Sequence, residues 1–279
     1  MPEISVLMSV YNPPSRCVLL NAVGSVISQS FKDWEMVIYD DGSGKEGEEI
    51  IKEAAALDPR IFLVRGEKNM GLAHGLNESL AFAKGEFIAR MDGDDISRPD
   101  RFLRQLEFLK ENPAYGWVGC CAELIDSRGR WGVWRVPKEP GKEDFLKYSP
   151  FIHPSVMFRR KVLAENGGYR DVSRLEDYEL FMRMTAEGFK GYNLQEVLFC
   201  YREDRDSYKR RRYVYRIEEA RLRYKGFKAM GILVPSNYIY VIKPLLVGLV
   251  PAKLAYYFKT RRRYGTYLGR KRKRTAGQI

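Results

Sequence analysis

Apolar and polar positions in the first hundred residues alternate between two periods. Ile4–Tyr11 is a nearly unbroken apolar run closed by Asn12-Pro13-Pro14, which predicts a strand covered on both faces. Val18–Ser30 predicts a helix. Glu35–Tyr39 predicts a second strand running into Asp40-Asp41-Gly42-Ser43, and Glu46–Leu57 a helix stopped by Asp58-Pro59. Ile61–Arg65 predicts a third strand. Over Leu72–Ala83, Leu72, Ala73, Leu76, Leu80 and Ala83 recur at helical spacing, and Gly85 ends the pattern. Glu86–Met91 predicts a fourth strand ending in Asp92-Gly93-Asp94-Asp95. Arg98–Glu111 predicts a helix that turns Phe102, Leu106 and Leu109 inward.

Short strands alternating with helices imply an α/β fold with a doubly wound, mostly parallel sheet flanked by helices. Ligands of such sheets bind beyond the carboxyl ends of the strands. Here those ends carry Tyr11-Asn12, Asp40-Asp41 and Asp92/Asp94/Asp95. The second half is less regular. Trp117–Asp126 and Gly132–Val136 predict strands joined at Ser127-Arg128-Gly129, and Ser155–Phe158 a short extended piece. Leu175–Ala186 predicts a helix and Val197–Tyr201 a strand. A long basic helical pattern runs from Lys209 to about Met230, and residues 237–258 are apolar but interrupted. No internal repeat and no Gly/Ser linker is visible.

Two carboxylate groupings suggest chemistry. Asp92 and Asp94, one residue apart at a strand end, can share one hard cation that bridges phosphate oxygens. A solvated acidic turn, or a helix cap by Asp95 or Ser97, would leave the same trace. The second acidic strand end, Asp40-Asp41, falls on the same sheet edge, and like charges gather there for a cation or a donor-rich ligand. On the helix Leu175–Ala186, Asp177 shares a face with Leu180, Phe181 and Met184, while Glu176 aligns with Glu179, Arg183 and Glu187. Asp177 is therefore expected on the buried face, with a raised pKa that suits a general base, and Glu176 on the wet one. An N-terminal charge role for Asp177 is the competing reading. Of the two histidines, His74 and His153, the second sits at the bend Phe151–Ser155 and stays a site candidate.

Charge changes the picture at the C-terminal end. The chain of 279 residues has a formal net charge of +12, and residues 209–279 hold 20 Lys+Arg against 2 Asp+Glu. Such a tail suits an anionic surface. Its charge-free apolar run is Pro244–Ala252, nine residues, against the ~20 needed to span a bilayer. Pro244 and Pro251 are expected to break helix. Tyr238, Tyr240, Tyr256, Tyr257 and Phe258 flank the run, and Lys259, Arg261–Arg263 and Arg270–Arg274 follow. This predicts an interfacial segment on an anionic membrane; a packed helical appendage with a solvated basic end is the rival. Nucleic acid would explain the charge but not the apolar run, so no nucleic-acid partner is expected. The four cysteines make no CxxC pair or zinc spacing; adjacent Cys120 and Cys121, in an apolar run, read as buried thiols, and a reducing cytoplasm fits. Met1-Pro2-Glu3 leads straight into the first strand without a signal-peptide pattern. The expected location is cytoplasmic, peripheral on the inner face of the membrane.

With these residues in place, the chain resembles glycosyltransferase family 2, inverting enzymes of the GT-A fold. The matching pieces, in family order, begin with Ser5–Asn12, Val37–Ser43, Asn69-x-Gly71-Leu72-Ala73 with Asn77, and Gly85–Asp95 with Pro99. They continue with His153–Arg160, Gly167-Gly168-Tyr169, Glu176-Asp177-Tyr178 and Tyr201-Arg202. The resemblance implies that Ser9, Tyr11, Asp41, Asn69, Asp92 and Arg202 contact a nucleotide sugar. Tyr11 would lie against the base, Asp41 on its edge and Asp92 at the ribose. Asp94 would ligate Mn²⁺ or Mg²⁺ on the diphosphate, and Asp177 would be the base, with His153, Asp95 and Glu176 as further candidates. The Gln-x-x-Arg-Trp signature of processive members is absent, which implies transfer of a single sugar, from a UDP-sugar to a glycan or lipid-linked acceptor. Asp204–Arg212 is expected to form a basic lid. Residues 1–208 would be the GT-A domain and 209–279 a helical, membrane-docking region. A sugar-phosphate nucleotidyltransferase would want a Gly-rich basic loop where Asn12-Pro13-Pro14-Ser15-Arg16 stands. A non-enzymatic basic adaptor would not need intact Asp41, Asp94 and Asp177.

Overall fold

A computed structural model describes residues 1–172, 174–203 and 213–248. Four parallel strands form one half of a single sheet, β1 (Ile4–Val10), β2 (Trp34–Asp40), β3 (Ile61–Arg65) and β4 (Phe87–Arg90), in the order β3-β2-β1-β4. They alternate with α1 (Arg16–Ile27), α2 (Lys45–Ala55) and α3 (Leu72–Phe82). The apolar run of β1 is buried on both faces. Ile4, Val6, Met8 and Val10 meet α1 and α2, while Leu7 meets α3, as the two-residue side-chain period of a strand requires.

The sheet continues with mixed polarity. After a two-residue β5 (Ile96–Ser97) and α4 (Arg101–Glu111) come the hairpin β6 (Tyr115–Asp126) and β7 (Gly129–Trp134), then β8 (Met157–Arg159), α5 (Arg160–Glu165), α6 (Glu176–Ala186) and β9 (Lys190–Arg202). β8 slots antiparallel between β4 and β6, β6 pairs parallel with β9, and β5 caps β9 antiparallel. β6 and β9 thus run with the first four strands and β8 against them. The apolar signal of Val197–Tyr201 marked only the end of β9, because pairing with β6 carries the strand back to Lys190.

Of the basic C-terminal region, α7 (Val214–Ala229) and α8 (Tyr238–Gly248) are described. Phe227, Met230, Ile232 and Val241 are buried in the same apolar cluster as Leu180 and Phe181 of α6. Pro244, expected to break helix, lies inside α8. No described helix is long and apolar enough to cross a membrane. Cys120, Cys121 and Cys200 are buried free thiols, and Cys17 is exposed. Asp204–Arg212, read as a lid, and residues 249–279 lie outside the described residues.

Candidate active site

The carboxyl ends of β1 and β2 are tied together by their own turn residues. Val10 is in register with Asp40, and the Asp41 amide donates to Val10 O at 2.9 Å. Asn12, at φ 42°, accepts from the Gly44 amide at 3.0 Å through Oδ1, while its own amide donates to Ser43 Oγ at 2.9 Å. Tyr11 beside it is half exposed, open to a planar ligand. Asp40 accepts from the Ser43 amide at 2.8 Å and pairs with Arg65 at 3.2 Å. Asp41 is buried, and its two oxygens accept from the amides of Met70 and Gly71, each at 2.8 Å. In this structure it therefore pins the loop that carries the exposed Asn69. Gly42, at φ +72°, packs where a Cβ would overlap the Lys68 backbone at 2.5 Å, so that loop lies directly on the β2 turn. Ser9 sits beneath α3, where a Cβ on Gly75 would overlap its hydroxyl.

β4 ends three residues short of β1, since Leu7 is opposite Arg90. The turn Asp92–Asp95 therefore crosses the end of β1, and a Cβ on Gly93 would press on Leu19 and Val10 at 3.2 and 3.3 Å. Asp92, Asp94 and Asp95 each offer a carboxylate oxygen within 4.8 Å of the others. Three hard oxygen donors at that separation suit Mn²⁺ or Mg²⁺. Asp95 is buried with Oδ2 unpartnered, a further sign of a cluster that a cation would complete. Burial and the charge of Asp92 push the Asp94 carboxyl up to about 6. Arg202 holds this turn: its amide donates to Asp95 Oδ1 at 2.7 Å and its Nε to Asp94 O at 2.9 Å. Sequence alone gave Arg202 a ligand role; here its visible contacts are with the acidic turn.

Asp92, His153, Glu176 and Asp177 line one cavity of about 390 Å³, together with Arg90 and Arg174. Burial raises Asp177 to about 6, against the stabilising Tyr178 amide that donates to its Oδ1 at 2.7 Å. Burial, then the charge of Asp177, raises Glu176 to about 7. The expected wet face of α6 is corrected here. Glu179 and Arg183 are buried, because Arg183 pairs with Glu179 at 2.9 Å and donates to Gly168 O at 2.8 Å, closing the loop at residues 166–170 over that face. Helical periodicity separates Glu176 from Asp177; the tertiary cover brings both into the same cavity.

His153 is buried and held neutral, its pKa pushed well down by burial and then by the charge of Arg90. Its Nε2 lies 2.9 Å from the Tyr169 hydroxyl. Tyr169 is fixed in turn by Asn77 of α3, which donates to its carbonyl at 2.7 Å and accepts from its amide at 2.8 Å. The bend expected at Phe151–Ser155 forms as a single tight helical turn at His153–Ser155.

Sequence reasoning passed over Arg90, read only as part of a strand. Its side chain is 1% exposed, donates to Asp92 Oδ1 at 2.7 Å, and leaves Nε and Nη1 unpartnered. A charged residue in an otherwise apolar strand, two positions before an acid pair, was the signal that could have found it. Arg174 was also missed. It adopts φ 62°, rare for a side chain of its size, with its guanidinium over the Tyr215 ring of α7 at 4.6 Å.

A family profile described as Glycosyl transferase family 2 matches residues 5–167. "Putative glycosyltransferase EpsE" of Bacillus subtilis (strain 168) is 39% identical over 255 residues, covering 90% of this chain and 91% of that protein. The Escherichia coli UDP-Gal:alpha-D-GlcNAc-diphosphoundecaprenol beta-1,3-galactosyltransferase is 31% identical over 264 residues, covering 92% and 94%. Among solved structures, the mannosyltransferase PcManGT from Pyrobaculum calidifontis in complex with GDP-Man and Mn²⁺ superposes with a TM-score of 0.61 at 20% identity, covering 91% of this chain and 72% of that one. At that identity the likeness speaks for the GT-A fold alone.

Proposed function

The chain belongs to glycosyl transferase family 2, the nucleotide-sugar-dependent glycosyltransferases, and on that footing we propose that it moves one sugar from a UDP-sugar to an acceptor hydroxyl with inversion. The observation that carries this reading is the meeting of the acidic turn and the α6 carboxylates at one cavity. Asp94, with Asp92 and Asp95 beside it, would hold Mn²⁺ or Mg²⁺, which when bound neutralises the leaving diphosphate as a Lewis acid. Tyr11, Ser9 and Asn69 would receive the nucleoside at the ends of β1 and β2, with Asp41 holding the loop beneath it. Arg90 and Arg202 keep Asp92 and the turn in place through the contacts above. The raised pKa of Asp177 makes it a better proton acceptor than a solvated aspartate. It would take the acceptor proton as the hydroxyl oxygen attacks the anomeric carbon from the face opposite the diphosphate. Glu176 would orient the acceptor from the neighbouring position.

Asp94→Ala should abolish Mn²⁺-dependent UDP binding with the fold intact. Isothermal calorimetry with UDP and Mn²⁺ reads this directly, and unchanged affinity would remove Asp94 from the metal site.

The acceptor is proposed to be a glycan or lipid-linked glycan, met at the cytoplasmic leaflet. Two observations support membrane docking. α8 exposes Ile239, Ile242 and Leu246 at helical three- and four-residue spacing, and residues 249–279 hold ten Lys+Arg and no acid. Removing residues 249–279, which keeps the whole of α7 and α8 in the chain, should release the protein from phosphatidylglycerol vesicles at low salt. Equal sedimentation of the full and shortened chains would end the docking proposal.

A further inference from the structure

The cavity at Asp177 has a second chemistry besides its charges. Four aromatic side chains line it: Trp134, Tyr148, Phe151 and Tyr201. They come from separate parts of the chain, the end of β7, the segment after the short helical turn at Lys142–Leu146, the bend before β8, and the end of β9. Phe151 is explained by the core, since it packs on Trp117 and Phe181 at 5.4 and 4.8 Å between ring centroids. Tyr201 supports Trp134 in an edge-to-face contact at 5.4 Å and 86°. Trp134 is half-buried and Tyr148 is 49% exposed, and among the described residues no ring packs on Tyr148. Single exposed aromatics are ordinary on a protein surface. A half-buried Trp134 and an exposed Tyr148 converging from different segments on one cavity lined by two carboxylates are a different arrangement.

We propose that Trp134 and Tyr148 form a stacking platform for the pyranose ring of an acceptor sugar, whose hydroxyls face Glu176 and Asp177. This rests on the glycosyl-transfer reading and deepens it by assigning the acceptor subsite. A pyranose has apolar C–H faces and a rim of hydroxyls, and it needs an aromatic surface and acceptor oxygens in one cavity. The volume of about 390 Å³ lies in the range of small-molecule sites. An alkyl chain would desolvate Asp92, Arg90, Glu176 and Asp177 without replacing their hydrogen bonds. The nucleobase has its own place at Tyr11, which does not line this cavity.

The test uses the full chain and three probes, the methyl glycosides of glucose, galactose and N-acetylglucosamine, read by saturation-transfer NMR with and without UDP and Mn²⁺. The wild-type protein should transfer saturation to the C–H protons of at least one pyranoside, most strongly on one ring face. Trp134→Ala and Tyr148→Ala should each weaken that binding by about tenfold, as expected for loss of one aromatic contact. Both should bind UDP with wild-type affinity by calorimetry, and Trp134→Phe should recover most of the pyranoside signal. The proposal is overturned if no pyranoside receives saturation, if the alanine variants bind pyranosides like the wild type, or if they lose UDP as well, which would make the two rings structural. Saturation confined to the chain of an octyl glycoside would identify a lipid slot instead. Failure of the wild-type chain to bind UDP would count against the donor reading, whereas the pyranoside arm without nucleotide still decides the platform.

Discussion

The two ends of the candidate site are built in different ways. At the proposed nucleotide end, Tyr11, Asp41 and the Asp92–Asp95 turn lie immediately past consecutive parallel strands, and register places them side by side. Their locks are mostly backbone groups: the amides of Met70 and Gly71 on Asp41, the amide of Gly44 on Asn12, the amide of Arg202 on Asp95. At the proposed acceptor end, Asp177, Glu176, His153 and Trp134 come from elements far apart in sequence, held by side-chain contacts such as Asn77 to Tyr169 and Arg183 to Glu179. The first end is specified by strand geometry. The second depends on each long-range pair. Substitutions at the first should therefore show in donor binding, and at the second in turnover.

The sharpest way to break this contrast is at the two adjacent acids. Asp177→Asn keeps the shape and removes proton acceptance, so single-turnover transfer at saturating donor should fall ~10²–10⁴-fold with UDP affinity unchanged. Glu176→Gln should cost much less. Near-normal transfer by Asp177→Asn beside a dead Glu176→Gln would exchange the two roles, and both are open to it because both line the cavity.

A smaller effect should come from Asn77. Asn77→Ala removes two hydrogen bonds to the Tyr169 backbone and should destabilise the protein by about 1–3 kcal/mol in urea unfolding. Because Tyr169 holds His153, the rate constant for transfer should drop more than UDP affinity does. A fall confined to UDP affinity would mean that the acceptor end is not what Asn77 organises.

The smallest expected effect is on stability against pH. Asp177 at about 6 and Glu176 at about 7 lie above the values of solvated carboxyls in the unfolded chain. The folded state therefore holds those protons more tightly, and the corresponding stabilisation is present in acid and lost as pH rises through 6 and 7. The two acids interact electrostatically with each other and with Arg90, Asp92 and Tyr169. Without nucleotide or metal, the melting temperature should decline from about pH 5 to 8. The pair Glu176→Gln and Asp177→Asn should flatten that decline, and an unchanged slope would show that other groups carry it.

How much was legible in the sequence follows the same division. The strand ends were legible because each strand is a short apolar run and its terminal residues are neighbours in the chain. The acidic turn, the helices α1 to α4 and the buried thiols Cys120 and Cys121 followed from local pattern. The insertion of β8 between β4 and β6 was not, because three residues carry too little periodicity and the pairing is fixed by distant strands. Nor was the shared environment of Glu176 and Asp177. Helical spacing describes a helix with one covered side, and α6 is covered on two, by the sheet-side core and by the loop that Arg183 ties down. Arg90 was hidden for a related reason: in a strand covered on both faces, a charged side chain finds its partner beyond the strand end, at Asp92.

The seating of α7 bears on how this chain could be altered. Arg223 is buried, donates to Leu146 O at 2.8 Å, and lies over the Tyr178 ring at 5.2 Å, one residue from Asp177. Phe227 beside it is fully buried, and losing such a ring costs about 3–5 kcal/mol. Arg174 at the cavity also leans on Tyr215 of the same helix. A chimera that exchanged everything after residue 213 for another protein's tail, in search of a new membrane address, would remove the prop behind the proposed proton acceptor. The practical seam for such grafting falls after α8, past the described helices that brace the site.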